Sequence, residues 1–300
     1  MEPKERPVEM SGERLGYGTA DTDYGMRLAT TPRSEDGPIW MVNLMAYRKV
    51  ADYGVGNASG IDPENGGTVS GREADDRYAP LDVLADIGAD VVFIGDVEDQ
   101  LLGDEPRWDR VGVVRYPTRR SFIEMQQRED FQKKHVHKEA GMAETIVAGC
   151  LPLEIPPLLG DRDPVDWADV PHPPSDADGS VMVVHVLRFS DGVGTQSPTD
   201  METYTNHAAQ VAVPNGVRLA GWFAVEGTII GDGRTWDQVR FNAFPSRAAF
   251  RAVVMDPDRL SAQREHREAA IADTYTLVVR PTIDRIAESL RDEAVTRPAS

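Results

Sequence analysis

Two stretches of this chain are written almost alike: GDEPRWDRVGVVRYPTRRSF at 103–122 and GDGRTWDQVRFNAFPSRAAF at 231–250. Without a gap, 88–126 matches 216–254 at 11 of 39 positions, where ordinary residue usage gives roughly three. One residue is then inserted in the second copy, and HKEAGMAET (His137 to Thr145) falls on HREAAIADT (His266 to Thr274). Upstream, WMVNLMAYR at 40–48 matches MVVHVLRFS at 182–190. A repeat of this kind constrains the fold before any other pattern does, because each copy must build the same unit. Between the copies lies LPLEIPPLLGDRDPVDWADVPHPPSDADG, whose prolines cannot continue a helix or a central strand. The predicted division is an N-terminal extension (1–36), a first α+β domain (37–152), a Pro/Asp-rich linker (153–178), a second α+β domain (179–282), and a C-terminal helix and tail (283–300). A length of 300 residues suits two such cores.

Each copy reads as strand, helix, strand, strand, helix, strand. MVNLMAY, DVVFIGDVE, WDRVGVVRY and TIVAGC or YTLVVRP carry the alternation and β-branched content of strands. READDRYAPLDVLADIG and SRAAFRAVVMDPDRLSAQREHREAAIADT carry helical periodicity, and Gly88 and Gly216 stand where a first helix should end in a left-handed residue. That order is the ferredoxin-like split βαβ. Such a sheet has helices on one face and a bare apolar face on the other, so the expectation is two sheets packed face to face, a dimeric α+β barrel made within one chain. A further homodimer is left open. Residues 1 to about 35 and 153–178 are expected to lack regular structure, with Leu15, Tyr17 and Tyr24 draping over the domains.

The halves resemble the dimeric α+β barrel superfamily, and within it the domain-of-unknown-function family DUF1330. WDRVGVVRYPTRRSF with DFQKKHVHKEAGMAET carries the likeness in the first half, and WDQVRFNAFPSRAAF with REHREAAIADT in the second, over about two thirds of the chain. The second half departs from it by placing Arg259-Leu260 where the first has Phe131-Gln132, which predicts a remodelled or lost pocket. The resemblance implies a fold that hosts cofactor-independent monooxygenases, isomerases, cyclases, haem enzymes and plain binders, so it implies no single reaction.

Composition narrows the partners. A net charge of -18 disfavours nucleic acid and anionic membranes, which are bound through Lys and Arg. No apolar run is long enough to span a bilayer and no signal segment is evident, so a cytoplasmic location is expected. Cys150, the one cysteine, sits among apolar residues and is expected to be a buried thiol. Gly54-x-Gly56-x-x-x-Gly60 misses dinucleotide spacing and reads better as a lid over a pocket. His135 and His137 point apart on a helix, and His135 with Glu139 reads as a surface salt bridge, so neither metal nor cofactor is expected. The basic run QKKHVHK (132–138) reads as a solvated face.

Candidate site residues come from placement. Alternation puts Asn43 and Tyr47 on one strand face, and His185 with Phe189 on the equivalent face of the other copy. His137 and His266 each have small residues at i+3 and i+4, which leaves room beside an imidazole. The expected first-half cleft is lined by Asn43, Tyr47, Tyr78 and His137, with His137 as base and Asn43 or Tyr47 holding an oxyanion. His185, Tyr204 and His266 would line the matching second cleft, with altered or no activity, as substrate-binding residues like Tyr78. The recurring Glu98/Glu226, Asp109/Asp237 and Arg119/Arg247 read as structural. The function expected is a small-molecule enzyme working on an apolar or aromatic metabolite by metal-free acid/base or cofactor-independent oxygen chemistry; the alternative is a non-catalytic ligand binder or scaffold.

Overall fold

The structure, a computed structural model, describes residues 12, 14–54, 66–155, 165–190 and 197–296, with side chains as far as 291. The chain forms two compact units. One comprises Met1–Ile94, Pro106–Leu151 and Glu226–Thr235; the other comprises Gly95–Glu105, Pro152–Val225 and Trp236–Ser300. The elements are mixed α and β, the strands pair antiparallel, and among the described residues no helix is long and apolar enough to cross a membrane.

In the first unit, β1 (Arg14–Leu15), β2 (Gly18–Ala20) and α1 (Thr22–Thr30) precede the central strand β3 (Ile39–Tyr47). There follow α2 (Gly71–Tyr78), α3 (Leu81–Asp86), β4 (Asp90–Leu102), β5 (Arg110–Tyr116), α4 (Arg119–Gln127), α5 (Glu129–Gly141) and β6 (Met142–Pro152). β3 lies between β5 and β6, and of its nine residues only Asn43 and Tyr47 are less than buried. The helix expected over READDRYAPLDVLADIG is two helices, because Pro80 cannot continue the first. Thr118 ends the Pro-Thr-Arg stretch as an N-cap, its hydroxyl accepting from the Ser121 amide, and Ser246 does the same for Ala249 in the second copy. Gly88 and Gly216 take φ of 70° and 82°, as the helix ends require.

The N-terminal extension is a correction. Residues 14–30 hold two short strands and a helix begun by Asp21, whose carboxylate accepts from the Tyr24 amide. Tyr24 and Leu28 then join Ile39, Met41, Phe122 and Phe131 in the core. Their i, i+4 spacing makes one apolar stripe inside an otherwise polar segment, which composition conceals. In the linker the described residues 153–155 and 165–178 form no helix or strand, and 156–164 lie outside the described residues.

The second unit holds β7 (Val181–Phe189), α6 (Thr199–Ala212), β8 (Arg218–Gly231), β9 (Gln238–Phe244), α7 (Arg247–Val254) and α8 (Pro257–Ala262). A π-helical stretch, Gln263–Arg267, leads to α9 (Glu268–Ala270), β10 (Ile271–Asp284) and α10 (Ile286–Thr296). β7 lies between β10 and β9, and β9 pairs with β8. The strand order is β6-β3-β5-β4 in one unit and β10-β7-β9-β8 in the other. The end of β8, from Glu226, belongs to the first unit, and the end of β4, from Gly95, to the second.

The recurring polar residues hold these strands. The Asp109 carboxylate accepts from the Tyr47 amide and that of Asp237 from the Phe189 amide, each at 2.7 Å. Arg119 grips Glu226 in the first unit, and Arg247 grips Glu98 in the second. Trp108, Trp236 and Cys150 are buried.

Candidate functional site

Cross-strand register sets one row of residues beneath the helices of each unit. In the first, Asn43 pairs with Gly112 on β5 and Val147 on β6. In the second, the equivalent His185 pairs with Arg240 on β9 and Thr276 on β10, and Arg240 pairs onward with Trp222 on β8. Position for position, Val, Asn and Gly have become Thr, His and Arg. The residue after the repeated histidine faces this row from above: Lys138 in the first unit, Arg267 in the second, both buried.

The first-half candidates are distributed as follows. Tyr47 Oη donates to Asp75 Oδ2 at 2.6 Å, and Arg110 binds the same oxygen at 2.9 Å. Burial, then the charge of Asp75, raises the Tyr47 pKa far above the usual phenol range. His137 is buried, with Nδ1 2.9 Å from Tyr53 Oη, so it joins the Tyr53 side of α5. The side chain that reaches Asn43 is its neighbour Lys138, Nζ to Oδ1 at 3.4 Å, with Nζ 5.4 Å from the Tyr78 ring centroid. Burial pulls the Lys138 pKa down, and Asp75 opposes this. The structure thus gathers Asn43, Tyr78 and Lys138, while Tyr47 goes to Asp75 and His137 to Tyr53. On the helix face of this unit Phe131 is fully buried, stacks on His135 and meets Tyr78 edge-on. Most of the lid proposed over this cleft, 55–65, lies outside the described residues.

Two further expectations are corrected there. His135 is mostly buried and its pKa is lowered to about 4, first by burial and then by Lys138, so at neutral pH it is an uncharged neighbour of Glu139 rather than half of a salt bridge. The basic run 132–138 is a solvated face only in part, because His137 and Lys138 turn inward.

A cavity of 340 Å³ lies in the second unit. It separates two apolar clusters, one containing Phe244, Val253 and Ala212 and the other Leu187, Met201 and Tyr204, and it is lined by members of both. His185 and Tyr204 line it as expected of the second-half cleft. His266 is not in the lining; its Nδ1 pairs with Asp200 at 2.9 Å and its ring stacks on His207. The cavity's polar end is Thr276, His185, Arg240, Arg259 and Arg267, with no carboxylate in the lining among the described residues.

Each of these groups is placed by identifiable contacts. His185 Nδ1 is 3.1 Å from Thr276 Oγ1. Burial, followed by Arg267, Arg240 and Arg259, pulls its pKa well below the ordinary value, so the imidazole is neutral at pH 7. Arg240 lies over the Trp222 ring at 4.1 Å and donates to Gln238 Oε1, Ser197 Oγ and Thr205 Oγ1. Arg259 donates to Tyr204 Oη at 2.8 Å and to the Val254 carbonyl. Arg267, 6% exposed, has a buried Nη2 with no hydrogen-bond partner. Burial first, then Arg267, lowers the Arg240 pKa; burial lowers that of Arg267, which Tyr204 and the exposed Glu268 raise and Arg259 lowers further.

Sequence reasoning named His185 and Tyr204 but missed the three arginines. A signal for Arg267 was present, since the repeat aligns it with Lys138 and a cation follows the histidine in both copies. Arg259 was visible as a departure from Phe131, without the consequence that it faces a cavity. Among the described residues, no three His, Cys, Asp or Glu side chains converge as metal ligands.

No family model matches the chain, and no curated protein does. Solved structures similar to it include a protein of unknown function from Rhodopseudomonas palustris, 25% identical, covering 47% of this chain and 100% of that one, with a TM-score of 0.38. They also include an anthrone oxidase-like protein (11% identity, 83% and 93% covered, TM-score 0.46). A chlorite dismutase variant from Candidatus Nitrospira defluvii is another (12% identity, 87% and 96% covered, TM-score 0.43).

Proposed function

We propose that the protein acts on a small, largely apolar organic molecule held in the second-unit cavity, with His185 as proton acceptor in metal-free acid/base or cofactor-independent oxygen chemistry. The observation that carries this is a neutral, half-buried imidazole at the polar end of an apolar cavity large enough for a small metabolite. Guanidinium groups beside it would stabilise negative charge that develops as a proton leaves the substrate. The site therefore moves from the first-half cleft, where Phe131 and Tyr78 fill the space, to the second. Strand orders β6-β3-β5-β4 and β10-β7-β9-β8 support two ferredoxin-like units within this reading.

A second reading, binding without catalysis, is favoured by one feature: Tyr204 Oη, the other proton-bearing group nearby, is taken up by Arg259. Native mass spectrometry of the purified chain separates the readings. A bound small molecule is expected, lost when Ala208→Leu fills the cavity, and converted by the wild type but not by His185→Gln. Undiminished conversion by His185→Gln would refute the catalytic role, and a ligand retained by Ala208→Leu would refute the site.

A further inference from the structure

We infer that the cavity's ligand is an organic carboxylate, an anionic head on an aromatic or aliphatic body, with the head seated on Arg267 beside Arg240. This rests on the cavity being the ligand site. Arg267 is the decisive residue: it is more than nine-tenths buried, it lines the cavity, and its guanidinium has no carboxylate partner among the described residues, Nη2 being left unsatisfied within the fold behind the cavity wall. A buried charged donor left unsatisfied is costly, and such groups are ordinarily matched by a carboxylate. No carboxylate lies within ion-pair distance of Arg240, Arg259 or Arg267 among the described residues, although the chain carries 50 acidic residues against 32 Lys and Arg. An anion from outside meets that demand and relieves the repulsion among the three.

The comparison of the two copies points the same way. In the first unit, Lys138 finds Asn43 and Tyr78, and Phe131 fills the space. In the second, Gly112 and Phe131 are answered by Arg240 and Arg259, so the same fold exchanges packing for cations. The inserted residue of the second copy falls in the segment where Gln263–Arg267 turns as a π-helix, a device frequent at functional sites. Arg267 ends that stretch.

The head is a carboxylate because few donors remain free. Arg240 already donates to Gln238, Ser197 and Thr205, which leaves mainly the planar fork of Arg267, a match for one planar anion. The rest of the lining, Leu187, Val217, Leu219, Phe244 and Phe250 among it, demands an apolar body.

The test is calorimetric titration of the full-length protein with 2-naphthoate, 2-naphthamide and inorganic phosphate. Naphthoate is expected to bind at least tenfold more tightly than the isosteric amide. Arg267→Met is expected to reduce naphthoate to the level of the amide and to leave the amide within twofold, with no fall in melting temperature. Arg267→Lys should retain part of the preference. Equal binding of acid and amide, unchanged by Arg267→Met, would overturn the anionic head while leaving the cavity as a ligand site. Binding of neither ring compound would remove the cavity itself. Phosphate as tight as naphthoate would overturn the amphipathic ligand in favour of a simple anion site.

Discussion

Glu226→Gln should cost the protein about 2–3 kcal/mol, and its repeat-related twin Glu98→Gln no more than about 1 kcal/mol. The two carboxylates hold the same place in the two copies but differ in surroundings. Glu226 receives Arg119 Nε on both oxygens, at 2.9 and 3.0 Å, and Nη2 on one; it also accepts from Tyr24 Oη at 3.2 Å. These side chains are 11% and 24% exposed. Breaking a fully buried pair costs about 3–5 kcal/mol, because the surviving charge is stranded; the partial exposure of Glu226 reduces that figure. Glu98, at 28% exposed much like Glu226, is shared by Arg247 and Arg280, which are 48% and 34% exposed, so water reaches the stranded guanidinium groups and replaces what glutamine loses. The assay is urea unfolding at pH 7 followed by tryptophan fluorescence and circular dichroism, with coincidence of the two probes checked first because there are two units. Adding 1 M salt should shrink the effect at Glu98 proportionally more than at Glu226. Equal losses, or a larger loss at Glu98, would refute the argument that burial decides the value of the repeated pair.

Two further outcomes are expected. His135 has a folded pKa of about 4 against 6.5 unfolded, so its contribution is complete above pH 6.5 and is lost as pH falls toward 4. At about 1.4 kcal/mol per pH unit this amounts to about 3 kcal/mol. The stability difference between wild type and His135→Asn should therefore change in that direction across that window; a flat difference would mean that burial against Tyr17, Tyr78 and Phe131, with the charge of Lys138, does not keep the imidazole neutral against the pull of Glu139. Leu28→Ala should lower stability by about 2–5 kcal/mol in thermal unfolding, since Leu28 is fully buried; a loss under about 1 kcal/mol would mean that α1 is not part of the core.

Much of the architecture was legible because the repeat doubled every signal. Strands, helix caps, the glycine helix ends and the structural use of Glu98, Asp109, Arg119 and their twins all follow from residues present in both copies. What was missed lies where the copies differ or where composition misleads. Tyr24 and Leu28 are two apolar residues in a charged extension, and their burial depends on a surface that only the folded unit offers. In the second copy the cavity is lined by Arg267 and not by its neighbour His266: the histidines at 137 and 266 drew attention as titratable groups, and the cations that follow them are buried as well. An i to i+1 step turns a side chain by about 100°, and neither periodicity nor chemistry told which of the pair the sheet would receive. The cavity was illegible for a related reason, since a void depends on how many side chains from several elements pack at once, and no single position announces it.

The strand ends that each unit draws from the other copy limit how the two copies can diverge. Glu226 is encoded in the second copy but serves Arg119 in the first unit, and Glu98 is encoded in the first copy but serves Arg247 in the second. Removing either copy would take a piece of its sibling's framework with it. Selection can then treat the copies unequally: the first can specialise in solidity and fill its interior, while the second accumulates the unpaired cations that stability alone would reject.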